Sequence, residues 1–392
     1  MPSRKHHQKT SIEFVRNKKK VIVSTIVIII FILFLYFLKF SQFYNKIYTA
    51  RLPGGSQITK IPKDKKIFSI LLMGYGGGRH EGTYLTDSMM IIQIDMEKKQ
   101  TIMISLPRDL WVRVPTNSGA EFHAKVNSVY QMALFPRTYP DLNNQYKSIQ
   151  GAGDLVKLAT TQVTRIPVDY YVAVDFEGFR KAVDILGGVT IPVARTFDDY
   201  EYPIDGKEDD PCNLEGTEFE DALKIATQEP QLAFPCRYEH LHFDAGNQSM
   251  DGTTALKYVR SRHSEQDGGD FGRAARQQLF LEAVKQKVLS IGFIPKIIPL
   301  LDELDENVRT DMPIEVVQKL LKEASKNDQY KTIQMVLSDK EYIKPSYSAD
   351  GQYILISVNG IDRWENIHTW INNTISGIIP TRVTDKKPPI NR

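Results

Sequence analysis

Apolar and polar positions along the chain change their period three times. Val21 to Leu38 (VIVSTIVIIIFILFLYFL) runs for 18 residues without a charge and is apolar on every helical face. At about 1.5 Å rise per residue, that length crosses a hydrocarbon core. From Ile67 onward short apolar runs replace it. Ile67–Met73 is unbroken, as in a strand buried on both faces. Ser88–Asp95 and Thr101–Leu106 follow as strands, and the polar turn Glu97–Gln100 between them predicts a hairpin. Helical periods then appear around 125–135, 152–164 and 176–186, the last closed by Gly187-Gly188. They alternate with strands at Tyr170–Val174 and Val189–Val193.

The rhythm breaks at 196–248, where Asp198-Asp199, Glu208-Asp209-Asp210 and several prolines predict a long acidic loop or insertion. Helices are expected again at Asp251–Lys257 and Phe271–Ser290, then at Ile314–Ala324 and Ile361–Ile375. Short strands are expected at Thr332–Leu337 and Tyr353–Ser357. Alternating helices and strands predict an α/β chain, a three-layer α/β/α sandwich with a mixed central sheet, preceded by one transmembrane helix. The expected divisions are a basic cytoplasmic tail (1–20), the anchor (21–38), an extracytoplasmic linker (39–66) and the main domain (67–295). An α/β extension (296–380) and a frayed tail (381–392) complete the chain.

Charge refines this picture. The first 20 residues hold seven basic side chains and one acid, with Lys18–Lys20 directly before the apolar segment. The positive-inside rule then leaves the N-terminus in the cytoplasm and everything after residue 38 outside a cell membrane crossed once. No A-x-A cleavage site follows, which favours an anchor over a signal peptide. The remaining chain carries 43 basic and 46 acidic residues, so it has no basic body suited to nucleic acid. Cys212 and Cys236 are either bridged, as an oxidising compartment allows, or two buried thiols.

Candidate chemistry centres on arginines. Gly74-Tyr75-Gly76-Gly77-Gly78-Arg79 follows a buried strand, but Arg79 occupies the third glycine position of a dinucleotide fingerprint and no phosphate loop occurs. Nucleophile elbows and H-E-x-x-H are absent. Arg108 ends a strand. Arg260 and Arg262 stand two apart in YVRSRH, which reads as an extended stretch and so points both to one face. Asp270 reads as a helix cap, and Arg273, Arg276 and Gln277 follow at helical spacing. Guanidinium groups match phosphate oxygens bidentately, so the grouping suits a pyrophosphate, and outside a membrane the phosphorylated species are lipid-linked. Asp87 offers a carboxylate for Mg²⁺ shared with phosphate oxygens, and His80 and Glu81 are near enough to complete its shell.

Seven segments in order carry a resemblance: ILLMG…LTDSMMIIQID, SLPRDLWV, KVNSVY, DYYVAVDFEGF, VDILGGV, MDGTTALKYVRSR and GDFGRAARQQ. Together they resemble the LytR–CpsA–Psr family of cell-wall glycopolymer transferases. The resemblance implies a membrane-anchored enzyme that binds a polyprenyl-pyrophosphate-linked glycan and passes the glycan phosphate to a peptidoglycan hydroxyl. By position it implies pyrophosphate binding by Arg108, Arg260, Arg262, Arg273, Arg276 and Gln277, with Lys125 and Asn127 bordering the pocket. It implies Mg²⁺ on Asp87, and acidic motif positions at Asp109 and Asp270. Asp109 is the expected base beside the catalytic Arg108. Relatives carry a second metal-binding aspartate where this chain has Tyr75-Gly76, so Glu81 or His80 is expected to replace it, Glu81 having the oxygen ligands Mg²⁺ prefers. A lipid-pyrophosphate hydrolase and a non-catalytic wall-polymer binding or regulatory protein are the competing expectations. The polyprenyl tail would need an apolar tunnel, which helices at 125–135 and 152–164 are placed to wall.

Overall fold

The computed structural model describes residues 34–35, 37–42, 44–48, 64–78, 82–226, 229–288, 303–324, 326, 330–337 and 341–378. Most of the expected anchor, most of the linker and the 381–392 tail lie outside them. No helix among the described residues is long and apolar enough to cross a membrane.

A six-stranded mixed sheet organises the chain. Its strands are β1 (Ile67–Tyr75), β2 (Ser88–Asp95), β3 (Gln100–Leu106), and, later in the chain, Tyr170–Asp175, Val308–Thr310 and Lys331–Val336. Two short strands intervene, β4 (Trp111–Arg113) and β5 (His123–Lys125), so the later three are β6, β11 and β12, in the order β11-β6-β1-β2-β3-β12. The apolar β1 pairs antiparallel with β2 and parallel with β6, which explains its unbroken hydrophobic run. The expected β2–β3 hairpin is present. Asp95 Oδ1 accepts from the backbone N–H of Glu97 at 3.0 Å and Lys98 at 2.9 Å, and closes its turn.

Helices cover both faces of the sheet. Leu71, Met73, Ile91, Ile102 and Ile104 pack against α1 (Val129–Leu134), α2 (Ile149–Thr164) and the last helix, Glu365–Ile375. Phe68 on the other face meets Met312 and Val316, the latter in helix Ile314–Ala324. The helix predicted at 125–135 is shorter than expected. Residues 123–125 pair with β4, and a 3₁₀ turn intervenes before α1.

A second core sits beside the sheet. It joins α3 (Phe176–Leu186), β7 (Val189–Val193), β8 (Phe197–Pro203), β9 (Tyr238–Phe243), β10 (Gly246–Met250) and the helices Gly252–Arg260 and Gly269–Val288. Asp175 caps α3 by accepting from Gly178 N at 2.7 Å, and Gly187 ends it with φ of 77°. The acidic segment 196–248 is therefore not a loop. β8 and β9 pair antiparallel, slipping by one residue between Asp199 and Tyr202. Between them lie α4 (Gly216–Ile225) and α5 (Pro230–Ala233), so Gly252–Arg260 is α6 and Gly269–Val288 is α7. A Cys212–Cys236 disulfide fastens the α4–α5 excursion. Most of the segment's charged residues lie on the surface of an ordered ribbon, but Asp199 joins Phe197 and Tyr202 at its inward positions.

Candidate functional site

A cleft of about 980 Å³ opens between the C-terminal end of β1, the β8 ribbon and the start of α7. Arg108, Arg260, Arg262, Arg273, Gln277 and Asp87 all line it. Three stretches of chain thus bring their guanidinium groups to one opening.

Backbone contacts explain the convergence. Arg108 follows β3 and donates from Nη1 to Asp87 Oδ1 at 3.1 Å. Asn127 Nδ2 donates to the same oxygen at 3.0 Å, while its own carbonyl accepts from Thr86 N at 3.0 Å. Lys125 Nζ holds Asp109 Oδ1 at 2.9 Å, and Asp109 Oδ2 stands 3.7 Å from Arg108 Nε. Lys125, Asn127 and Asp109 are therefore set behind the cleft rather than on its wall. They hold Asp87 and Arg108 in place.

Arg260 and Arg262 reach the cleft by a different route from the extended stretch expected. Arg260 is the last residue of α6, where the chain leaves helical geometry at Ser261 (ψ 131°). Asp199, fully buried, receives the loop that follows. Its carboxylate accepts from Ser261 Oγ at 2.6 Å and from the backbone N–H groups of Arg262 and His263, each at 3.1 Å. Glu201 N adds a fourth bond at 3.0 Å. Arg260 Nη1 donates to Tyr202 Oη at 3.1 Å and Asp205 Oδ1 at 3.0 Å, with its guanidinium 4.2 Å from the Phe176 ring centre. Sequence reasoning missed Asp199 because its acidic neighbourhood read as solvated.

At the other wall Asp270 lies in the first turn of α7, one residue inside the helix rather than at its cap. Its Oδ1 stands 3.2 Å from Arg262 Nη2 and 3.0 Å from Arg273 Nη2. Arg273 is deeply placed among cations. Burial pushes its pKa down to about 10; Asp270 opposes the fall while Arg262 and Arg108 add to it. Burial also works to lower the Arg108 pKa, yet Asp87 and Asp109 outweigh it and leave the pKa raised. Arg108 Nε and Arg262 Nε are buried without a hydrogen-bond acceptor. Clustered, desolvated cations with incomplete partners make an anion site.

Arg276 does not join them. It is 2% exposed, and its guanidinium donates to the carbonyls of Tyr258 (3.1 Å) and Ser261 and to Asp267 Oδ1 (2.7 Å). Gly272 makes that contact possible, because a Cβ there would stand 1.5 Å from the Asp267 carbonyl oxygen. Arg276 braces the loop that carries Arg262.

Asp87 keeps a partly exposed carboxylate on the cleft wall, which fits a cation held by one protein oxygen ligand with phosphate oxygens and water supplying the rest. His80 and Glu81, expected as further ligands, lie outside the described residues. A second cavity of about 390 Å³ adjoins the cleft, sharing Gly77, Gly78 and Asp175. Tyr75, Tyr84, Tyr130, Leu134, Phe135 and Ile149 line part of it and Thr83, Asp175, Glu306 and Arg309 the rest; of the two helices expected to wall a tunnel, 125–135 contributes and no residue of 152–164 does. Gly77, at φ 72°, is forced by this junction, since its Cβ would stand 3.0 Å from that of Asp175.

Biofilm regulatory protein A of Streptococcus mutans is 28% identical over 267 residues, covering 66% of this chain and 53% of that protein. The polyisoprenyl-teichoic acid–peptidoglycan teichoic acid transferase TagU of Oceanobacillus iheyensis is 26% identical over 267 residues, covering 68% and 65%. The chain thus spans between half and two thirds of the length of these curated relatives. The crystal structure of Bacillus subtilis TagV superposes with a TM-score of 0.50 at 23% identity, covering 80% of this chain and 98% of that one, and so shares the mixed α/β fold with its central mixed sheet. A model of the LytR_cpsA_psr family matches residues 35–359, from before the sheet to beyond its last strand, and the chain belongs to that family.

Proposed function

We propose that this chain is a phosphotransferase that moves a glycopolymer phosphate from a polyprenyl-pyrophosphate carrier to a peptidoglycan hydroxyl during cell-wall assembly. We place it outside the cell membrane as a three-layer α/β/α body, held by a single anchor at 21–38 with its N-terminus in the cytoplasm. The observation that carries the reading is the convergence of Arg108, Arg260, Arg262, Arg273 and Gln277 on one cleft beside Asp87. The polyisoprenyl-teichoic acid transferase name of a relative supports the substrate class.

In this reading Arg108, Arg262 and Arg273 bind the diphosphate and neutralise charge that builds on the bridging oxygen as polyprenyl phosphate leaves. Asp109 and Asn127 hold Arg108 and Asp87 in place for that task. The adjoining aromatic cavity takes the first isoprene units, which fixes the diphosphate between tail and glycan. Asp87 would hold Mg²⁺; bound there, the ion supplies further charge neutralisation at the phosphate oxygens. Incubation of the full-length protein in detergent with a polyprenyl-diphosphate-linked glycan, Mg²⁺ and peptidoglycan tests the proposal. Phosphodiester-linked glycan on peptidoglycan with release of polyprenyl phosphate is the expected product. Glycan phosphate released to water whether or not peptidoglycan is present would replace transfer by hydrolysis.

A further inference from the structure

We propose that Asp198, His240 and His242 form a binding site for a borderline transition-metal dication such as Zn²⁺ on the outer face of the β8–β9 ribbon. Asp198 and His242 are direct cross-strand partners, and His240 lies two residues earlier on β9, so all three side chains emerge on one face. His240 Nε2 and His242 Nδ1 each stand 2.8 Å from Asp198 Oδ1. One ligand atom from each residue falls within 4.8 Å of the others.

A tetrahedral centre with bonds of 2.0–2.1 Å separates its ligands by about 3.3 Å. Admitting the ion thus widens each existing contact by about half an ångström, which half-exposed side chains accommodate. The imidazoles are already oriented. Tyr200 stacks on His240 with ring centres 4.1 Å apart and planes 7° from parallel. Asp244 Oδ1 stands 3.3 Å from the far nitrogen of His242, the carboxylate–imidazole support common behind metal-binding histidines. Two imidazoles and one carboxylate select a transition ion over Mg²⁺ and leave a position for water.

This face is separate from the arginine cleft. Asp199, the next residue, points inward beneath the cleft, whereas Asp198 is not on the cleft wall. The ion would clip β8 to β9 behind that wall. Among the described residues, Glu121, His123 and Asp362 group similarly but offer one imidazole, and Cys212 and Cys236 beside Asp210 are sealed in the disulfide.

The test titrates Zn²⁺ calorimetrically into untagged, chelator-stripped full-length protein in detergent, with excess Mg²⁺ covering the cleft carboxylate. A bound Zn²⁺ equivalent is expected that the double variant His240→Ala/His242→Ala abolishes and His123→Ala leaves intact. Asp244→Asn should weaken it about 10–100-fold. Undiminished binding by the double variant, or loss with His123→Ala, overturns the proposal. A second measurement needs no variant. Co²⁺ on the unaltered protein should show the visible absorption of a low-coordinate nitrogen–oxygen site that Zn²⁺ displaces, and its absence overturns the proposal equally.

Discussion

The buried carboxylate of Asp199 accepts the backbone N–H of Arg262 at 3.1 Å, so one strand of the ribbon dictates where a cleft arginine begins. Asp199→Ala would strand this donor together with Ser261 Oγ, His263 N and Glu201 N. A loss of about 2–4 kcal/mol in unfolding free energy is expected, measured by denaturant titration. An unchanged midpoint would mean that water replaces all four bonds.

Arg108→Ala and Arg262→Ala should leave the folded state intact and lower transfer from a lipid-linked donor by about 10²–10³-fold each. Turnover measured on purified protein, with circular dichroism as the control, checks this. Wild-type rates in either variant would remove that arginine from the reaction.

Arg276→Ala behaves differently because it empties a buried ion pair with Asp267 and frees two carbonyls. Stability should fall by about 3–5 kcal/mol. Arg276→Lys should recover only part of this, since an ammonium cannot span all three partners. Thermal unfolding of the two variants beside Arg108→Ala separates bracing from binding.

Arg273 is a cation held at a cost, so Arg273→Met should be as stable as the parent or more so while binding diphosphate less tightly. The pH behaviour follows from the sign of its shift. A folded-state pKa of about 10, depressed below that of an unfolded arginine, makes its contribution to stability rise only as pH climbs above about 10. Parent and variant should therefore run parallel between about pH 6 and 9 in denaturant melts. Divergence within that range would assign the titration to another group.

Replacing Cys212 and Cys236 together by Ser removes a link that closes a loop with a sequence separation of 24. About 3 kcal/mol of stability is expected to be lost. Limited proteolysis should then cut first within 212–236, and cleavage elsewhere would show that the excursion is held by its other contacts.

Several elements were legible from period and punctuation alone. β1, the β2–β3 hairpin and the Gly187 helix end follow from apolar runs, a polar turn and a left-handed glycine. Arg260 misled because Tyr258-Val259 is strand-like locally, while its place in α6 is set by packing of Leu256 and Tyr258 in the second core. Arg276 misled because helical spacing of three and four brings residues near one another without aiming them alike. At about 100° per residue, Arg276 and Gln277 fall on opposite flanks of Arg273. Gln277 meets the cleft and Arg276 the loop below it. Asp199 was illegible for a deeper reason. Three of its four partners lie more than sixty residues away, and no local pattern announces which carboxylate will satisfy a distant loop.

The one-residue slip in the β8–β9 pairing sets where this ribbon can change length. Strict alternation would send the side chain two places after Asp199 inward, but the irregularity lets Tyr202 take that berth and support Arg260 instead. Deleting Tyr200 or Glu201 would restore a regular ladder and leave Tyr202 opposite Glu239 and facing inward. Changes of a single residue should consequently be absorbed at two places in this hairpin, at the slip itself and at the far tip where the α4–α5 excursion sits.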